Sequence, residues 1–221
     1  MNQSRRFSIF LLCLGLIFLG KEATKVDAND VRGETTSADG KVFRNELFDL
    51  SVTKLDDWYA QSTKELLQHH EMSVNILADD NSYLQAVIRE SLQASLPLFG
   101  FYRYASGTPT SKNAIIRGIA ENISLSPGIK KGCDYLYHVK QLMTQSHIGL
   151  NFSDECLTKN INGSEFGYYN AGIIARDREI KQEYYACIKG TYAISIVQSY
   201  SSPEEKLMVD EILDTLKVEC N

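Results

Sequence analysis

The chain has 221 residues, 43% of them apolar, with 23 basic and 28 acidic side chains and a formal net charge of −5. That apolar content is enough to fill a core. The acidic balance, with no basic cluster anywhere, excludes nucleic acid or an anionic membrane as the main partner.

The N-terminus reads as a secretory leader. Arg5 and Arg6 make a positive n-region without an acid, and Ser8 to Gly20 forms an apolar h-region. As a helix this stretch reaches only ~20 Å, short of the roughly 30 Å of a bilayer core. Val26-Asp27-Ala28 meets the small-x-small cleavage rule, so residues 1–28 are expected to be removed as a signal peptide. The mature part then has 19 bases and 26 acids, a net charge of −7. It is expected to be exported, periplasmic or extracellular, without a stable membrane span.

Residues 29–41 are polar and small, and read as a disordered lead-in to a single domain over residues 42–221. From Leu47 to Val52, apolar and polar residues alternate as in a half-buried strand, ahead of Trp58-Tyr59. Ser62 and Glu65 make a capping box, opening a helix with Leu66, Leu67, His70, Val74 and Leu77 on its apolar side. A second helix runs from Ser82 through Leu84, Val87, Ile88, Leu92 and Leu96. Leu96–Tyr104 and Ala114–Ile123 are strand candidates, separated by a Gly107-Thr108-Pro109 turn.

Ile129–Gln145 has a helical apolar face, and a run of strands follows. Asn162-Gly163 marks one hairpin and Lys189-Gly190 a second. Ser202-Pro203-Glu204-Glu205 opens a final helix, with proline suited to its first turn and acids to its positive end. This order of elements predicts an α+β fold, an antiparallel sheet with helices packed on it.

Once Cys13 leaves with the leader, Cys133, Cys156, Cys187 and Cys220 remain. Four cysteines allow three connectivities, and an even number in an exported chain implies a disulfide framework. Pairing 133 with 156 and 187 with 220 closes loops of moderate length and is the expected arrangement. The absence of a CxxC pair argues against redox catalysis.

Phe43-Arg44-Asn45 leading through Phe48-Asp49-Leu50-Ser51-Val52 to Trp58-Tyr59 is similar to the opening strand and tryptophan loop of the Mog1/PsbP-like superfamily. Tyr192–Ile196, the Ser202–Glu205 turn and an amphipathic helix to Val218 are similar to its close. Leu55 stands where many members carry proline. The resemblance implies a mostly non-catalytic fold and supplies no catalytic residues, so it points to a binding or assembly role for an envelope protein or small ligand.

Little chemistry competes with that. Adjacent His69 and His70 diverge by about 100° around a helix, which is no metal spacing, and HExxH is absent. No metal or cofactor is expected. Cys133, near a helix start, is a candidate nucleophile with His138 or His147, which would make the chain a secreted hydrolase; the disulfide reading is favoured over it. Tyr168, Tyr169, Tyr184 and Tyr185 crowd the strand run. One member of each adjacent pair is expected in the core and the other on an aromatic binding surface. Asn122, Asn151 and Asn162 head glycosylation sequons, read as chance in a bacterial protein.

Overall fold

The computed structural model describes residues 34–37, 40–105, 108, 113–146, 148–175 and 178–221. The expected leader at 1–28, His147, and Gly107 and Pro109 of the expected turn lie outside the described residues. Strands β1 (Glu34–Thr36), β2 (Val42–Asn45) and β3 (Leu50–Thr53) form a three-stranded antiparallel sheet. β1 lies inside the stretch expected to be without order, and pairs Glu34 with Asn45.

The single strand expected over Leu47–Val52 is instead a turn and a strand. Asn45 Oδ1 accepts the Phe48 N–H at 3.2 Å, and Asp49 takes a φ of 43°. Phe48, Leu50 and Val52 are nevertheless all buried. The alternation in the sequence reports their burial, and the Asx turn that reverses the chain does not disturb it.

Next come β4 (Tyr59–Ala60), α1 (Thr63–Ala78), α2 (Ser82–Gln93), β5 (Ser95–Tyr102), β6 (Ile115–Asn122) and α3 (Gly132–Gln145). The capping box forms as expected: Ser62 N–H donates to Glu65 Oε2 at 2.8 Å, and Glu65 N–H to Ser62 Oγ at 3.3 Å. α3 starts three residues later than its apolar pattern, because Asp134 accepts the N–H groups of Lys130 and Lys131, both at 2.9 Å.

The rest is β7 (Asn151–Phe152), β8 (Leu157–Ile161), β9 (Ser164–Ala175), β10 (Arg178–Lys189), β11 (Tyr192–Tyr200) and α4 (Pro203–Leu213). Asn162 and Gly163, at φ 48° and 95°, form the two-residue turn between Ile161 and Ser164. The β10–β11 turn is Gly190-Thr191, one residue later than expected, with Lys189 paired to Tyr192. Gly190, at φ 60°, takes the first central position of that turn.

The main sheet is antiparallel and eight-stranded, in the order β4-β5-β6-β11-β10-β9-β7 with β8 also paired to β9. The fold is therefore α+β, with helices packed on an antiparallel sheet. Both faces of the sheet are covered. On one, α1, α2 and α3 bury Val74, Leu77, Ile88, Leu136 and Val139 against Ile119, Tyr169, Tyr184 and Val197. On the other, α4 and the small sheet bury Leu50, Val52, Val209 and Ile212 against Ile116, Phe166, Tyr185 and Ile194. This is why β11 is buried over seven consecutive residues, without alternation.

The last helix was expected to reach Val218 but ends at Leu213. Thr215 Oγ1 donates to Ile212 O and accepts the Thr53 N–H at 2.8 Å, and Lys217 then bridges to Ser51. The C-terminal tail thus joins the edge of β3.

Candidate functional site

Cys133 is bonded to Cys156 and Cys187 to Cys220, the connectivity expected from loop length. Cys133 is therefore no nucleophile, which removes it from the hydrolase alternative. His138 is half-buried beside Tyr137, with ring centroids 5.5 Å apart. Burial lowers its pKa, and Asp134 pulls the other way. Its suggested companion, His147, lies outside the described residues, as does the side chain of His70.

The four tyrosines meet as cross-strand neighbours, Tyr169 with Tyr184 and Tyr168 with Tyr185. Tyr184 and Tyr185 are 0% and 2% exposed and Tyr169 is 6% exposed, so three of the four cannot present an aromatic surface. Only Tyr168 is partly exposed. The expectation of an outward ring in each pair fails because α4 and the small sheet cover the second face.

These tyrosines instead support a groove where β11 ends and α4 begins. Beneath α4, the buried Glu183 accepts three hydrogen bonds. Tyr185 OH donates to Oε2 at 2.5 Å, Tyr200 OH to Oε1 at 3.0 Å, and Lys206 Nζ lies 3.1 Å from Oε2. Lys206 also reaches Asp210 Oδ2 at 2.6 Å, one helical turn on. Burial and then the Glu183 carboxylate raise the pKa of both Tyr185 and Tyr200 well above the ordinary phenol range. For Lys206, burial acts to lower the pKa, but hydrogen bonds to Asp210 and Glu183 and their charges outweigh it and hold the ammonium protonated.

Beneath the helical layer, Tyr184 OH donates to Gln182 Oε1 at 2.8 Å, and Gln182 Nε2 to Ser199 Oγ at 2.8 Å. Phe152 stands 5.2 Å from the Tyr184 ring and 6.1 Å from the Tyr169 ring. Lys140 Nζ reaches over Tyr169 at 4.8 Å and donates to Ser153 O at 2.6 Å, fixing the β7 segment.

Two concavities share Glu179, Lys181 and Tyr200. One, of about 670 Å³, is walled by Asn151, Phe152, Ser153 and Asn170. The other, of about 460 Å³, is walled by Ser201, Ser202, Pro203 and Lys206. They adjoin at these residues and present amide, hydroxyl and aromatic walls with charges of both signs. A separate groove of about 850 Å³ lies between the β2–β3 turn, the Asn162 turn and the tail. Its wall is clamped, since Asn162 Nδ2 donates to Asp214 O and Leu216 O at 2.8 and 2.7 Å.

Tyr200, Lys206 and Glu183 were not singled out from the sequence as site residues. The signal available was Glu183 beside the adjacent tyrosines, two residues before Tyr185, together with a Lys206–Asp210 pair at helical i,i+4 spacing.

No protein-family model matches the chain, and no curated protein does. Similar solved structures include the solution structure of cyanobacterial PsbP (CyanoP) from Synechocystis sp. PCC 6803. It has 8% identity and a TM-score of 0.49, over 89% of this chain and 98% of that one. LpqN of Mycobacterium tuberculosis, a protein involved in cell envelope biogenesis, has 9% identity and a TM-score of 0.40 over 83% of this chain and 89% of LpqN. A protein from Bacteroides thetaiotaomicron has 13% identity and a TM-score of 0.42 over 86% of this chain; this chain spans about half its length, 49%. Likeness this distant carries no assignment of function.

Proposed function

We propose that this chain is an exported, non-catalytic domain of the cell envelope that binds a partner protein or small polar ligand in the groove at Tyr200. The leader at residues 1–28 and the disulfides Cys133–Cys156 and Cys187–Cys220 support export, since disulfides persist in oxidising compartments. Among the described residues no helix is long and apolar enough to cross a membrane.

The observation that carries the binding reading is the preorganised end of β10 and β11. Glu183 fixes Tyr200 and Lys206 from below, and the groove above them exposes Glu179 and Lys181. A rigid rim of tyrosine and lysine over a satisfied polar floor suits recognition, because its side chains lose little freedom on binding.

The test is capture from envelope extract with the mature protein and with Lys181→Glu/Tyr200→Ala. The reading predicts a species held by the wild type and lost from the variant. Equal capture by both, or none by either, would overturn it.

A further inference from the structure

Outside the groove, a partly buried polar cluster lies where β4 hands over to α1. Gln61 is 9% exposed, and its N–H donates to Gly100 O at 2.9 Å across the sheet edge. Its side-chain Nε2 lies 2.7 Å from Nδ1 of His69, two turns into α1. An amide nitrogen can only donate, so Nδ1 is the acceptor and the neutral ring carries its proton on Nε2. Tyr102 OH, from β5, is 3.4 Å from the same Nδ1. The Gln61 carbonyl oxygen Oε1 is buried and has no hydrogen-bond partner among the described residues.

We propose that Gln61 and His69 form a proton-operated latch, in which protonation of His69 reverses the Gln61 side-chain amide. A proton arriving from solvent on Nδ1 turns the acceptor into a donor, and places N–H against N–H. The acceptor that resolves this conflict is Oε1, half a turn of the amide away. The reversal gives the orphaned oxygen its partner, and a buried group left unpaired is costly. Room for the amide over the sheet exists because residue 100 is glycine: a Cβ there would lie 2.3 Å from Oε1.

The charged groups around the ring set the balance. Burial and the Arg117 guanidinium on β6 oppose protonation, while Glu65, one turn earlier on α1, favours it. Glu65 in turn accepts from Tyr59 OH of β4 at 2.5 Å. The latch therefore ties β4, α1 and the β5 edge to one proton.

The test is an NMR titration of the isotope-labelled mature protein from about pH 8 to about pH 5, a range spanning histidine ionisation. The latch predicts an Nε2–H tautomer of His69 at the alkaline end. It also predicts Gln61 side-chain NH₂ resonances that shift with the His69 midpoint. In Gln61→Glu the carboxylate faces Nδ1–H permanently, and the midpoint rises by about one pH unit or more. An Nδ1–H tautomer at the alkaline end, Gln61 resonances flat through the His69 titration, or an unmoved midpoint in Gln61→Glu would each overturn it. The wild-type titration decides alone if Gln61→Glu fails to fold.

Discussion

Gly132, the first residue of α3, rests directly on Gly167 of β9. A Cβ built on Gly132 would lie 1.8 Å from Ala186 O and 2.8 Å from Gly167 N, and one built on Gly167 would lie 2.5 Å from Cys133 N. The obstructing atoms are mostly backbone, so neither side can yield by changing a rotamer. This contact brings α3 down onto the sheet and sets Cys133 beside Cys156.

Gly132→Ala and Gly167→Ala should therefore each cost about 3 kcal/mol or more of stability, the upper end of overpacking effects. Gly128→Ala, with nothing within 4 Å of the added methyl, should stay within about 0.5 kcal/mol of wild type. Urea unfolding followed by circular dichroism measures all three.

Both disulfides should be present in the mature protein, with no titratable thiol when it is denatured without reductant. Each closes a loop, with sequence separations of 23 and 33 residues, and loss of either should cost about 3 kcal/mol. Paired Cys→Ala variants under thermal or urea unfolding measure it. Two or more thiols in the unreduced protein would contradict the pairing.

Acid should weaken the fold in two stages. Burial lowers the pKa of His69 and His138 below the ordinary 6.5, so the unfolded chain binds protons before the folded one does. Their contribution is complete above that value and is lost as pH falls below it toward their folded pKa values. Glu65 acts later. Burial works to raise its carboxyl, but hydrogen bonds from Ser62 and Tyr59 and the charge of His69 lower it on balance, below the ordinary 4.5. Its contribution is present above that value and disappears as pH falls through its folded pKa. Urea midpoints measured across the acid range should decline in both windows, and His69→Gln should reduce the first to the part His138 contributes.

The Glu183 cluster separates charge from packing. Glu183→Ala strands the Tyr185 and Tyr200 hydroxyls and leaves Lys206 with Asp210 alone, and should cost about 3 kcal/mol. Tyr200→Phe removes one hydroxyl from a half-exposed position and should cost about 1 kcal/mol or less. Equal losses in the two variants would show that Glu183 does not organise the cluster.

Much of this was legible where a local device acts alone. Asn162-Gly163 needs only two positive φ angles, Ser62 and Glu65 need only each other, and Pro203 needs only a helix start. The cysteine pairing followed from loop length. What depended on a second layer was not legible. Tyr184 and Tyr185 look like one inward and one outward ring until α4 and the β2–β3 hairpin cover the other face. Phe48, Leu50 and Val52 alternate although the chain turns between them. The groove was hidden for the same reason: Glu183, Tyr200 and Lys206 come from three elements, and although β10–β11 pairing sets Glu183 near Tyr200, only the packing of α4 adds Lys206.

Photo-crosslinking from a reactive side chain placed at the exposed Lys181, in intact envelope, tests the binding reading most directly. Leu125, 84% exposed and outside the residues lining the groove, serves as the control position. The account predicts a discrete adduct, protein or small molecule by mass, from position 181 and none from 125. No adduct at 181, or the same adducts from both positions, would contradict it.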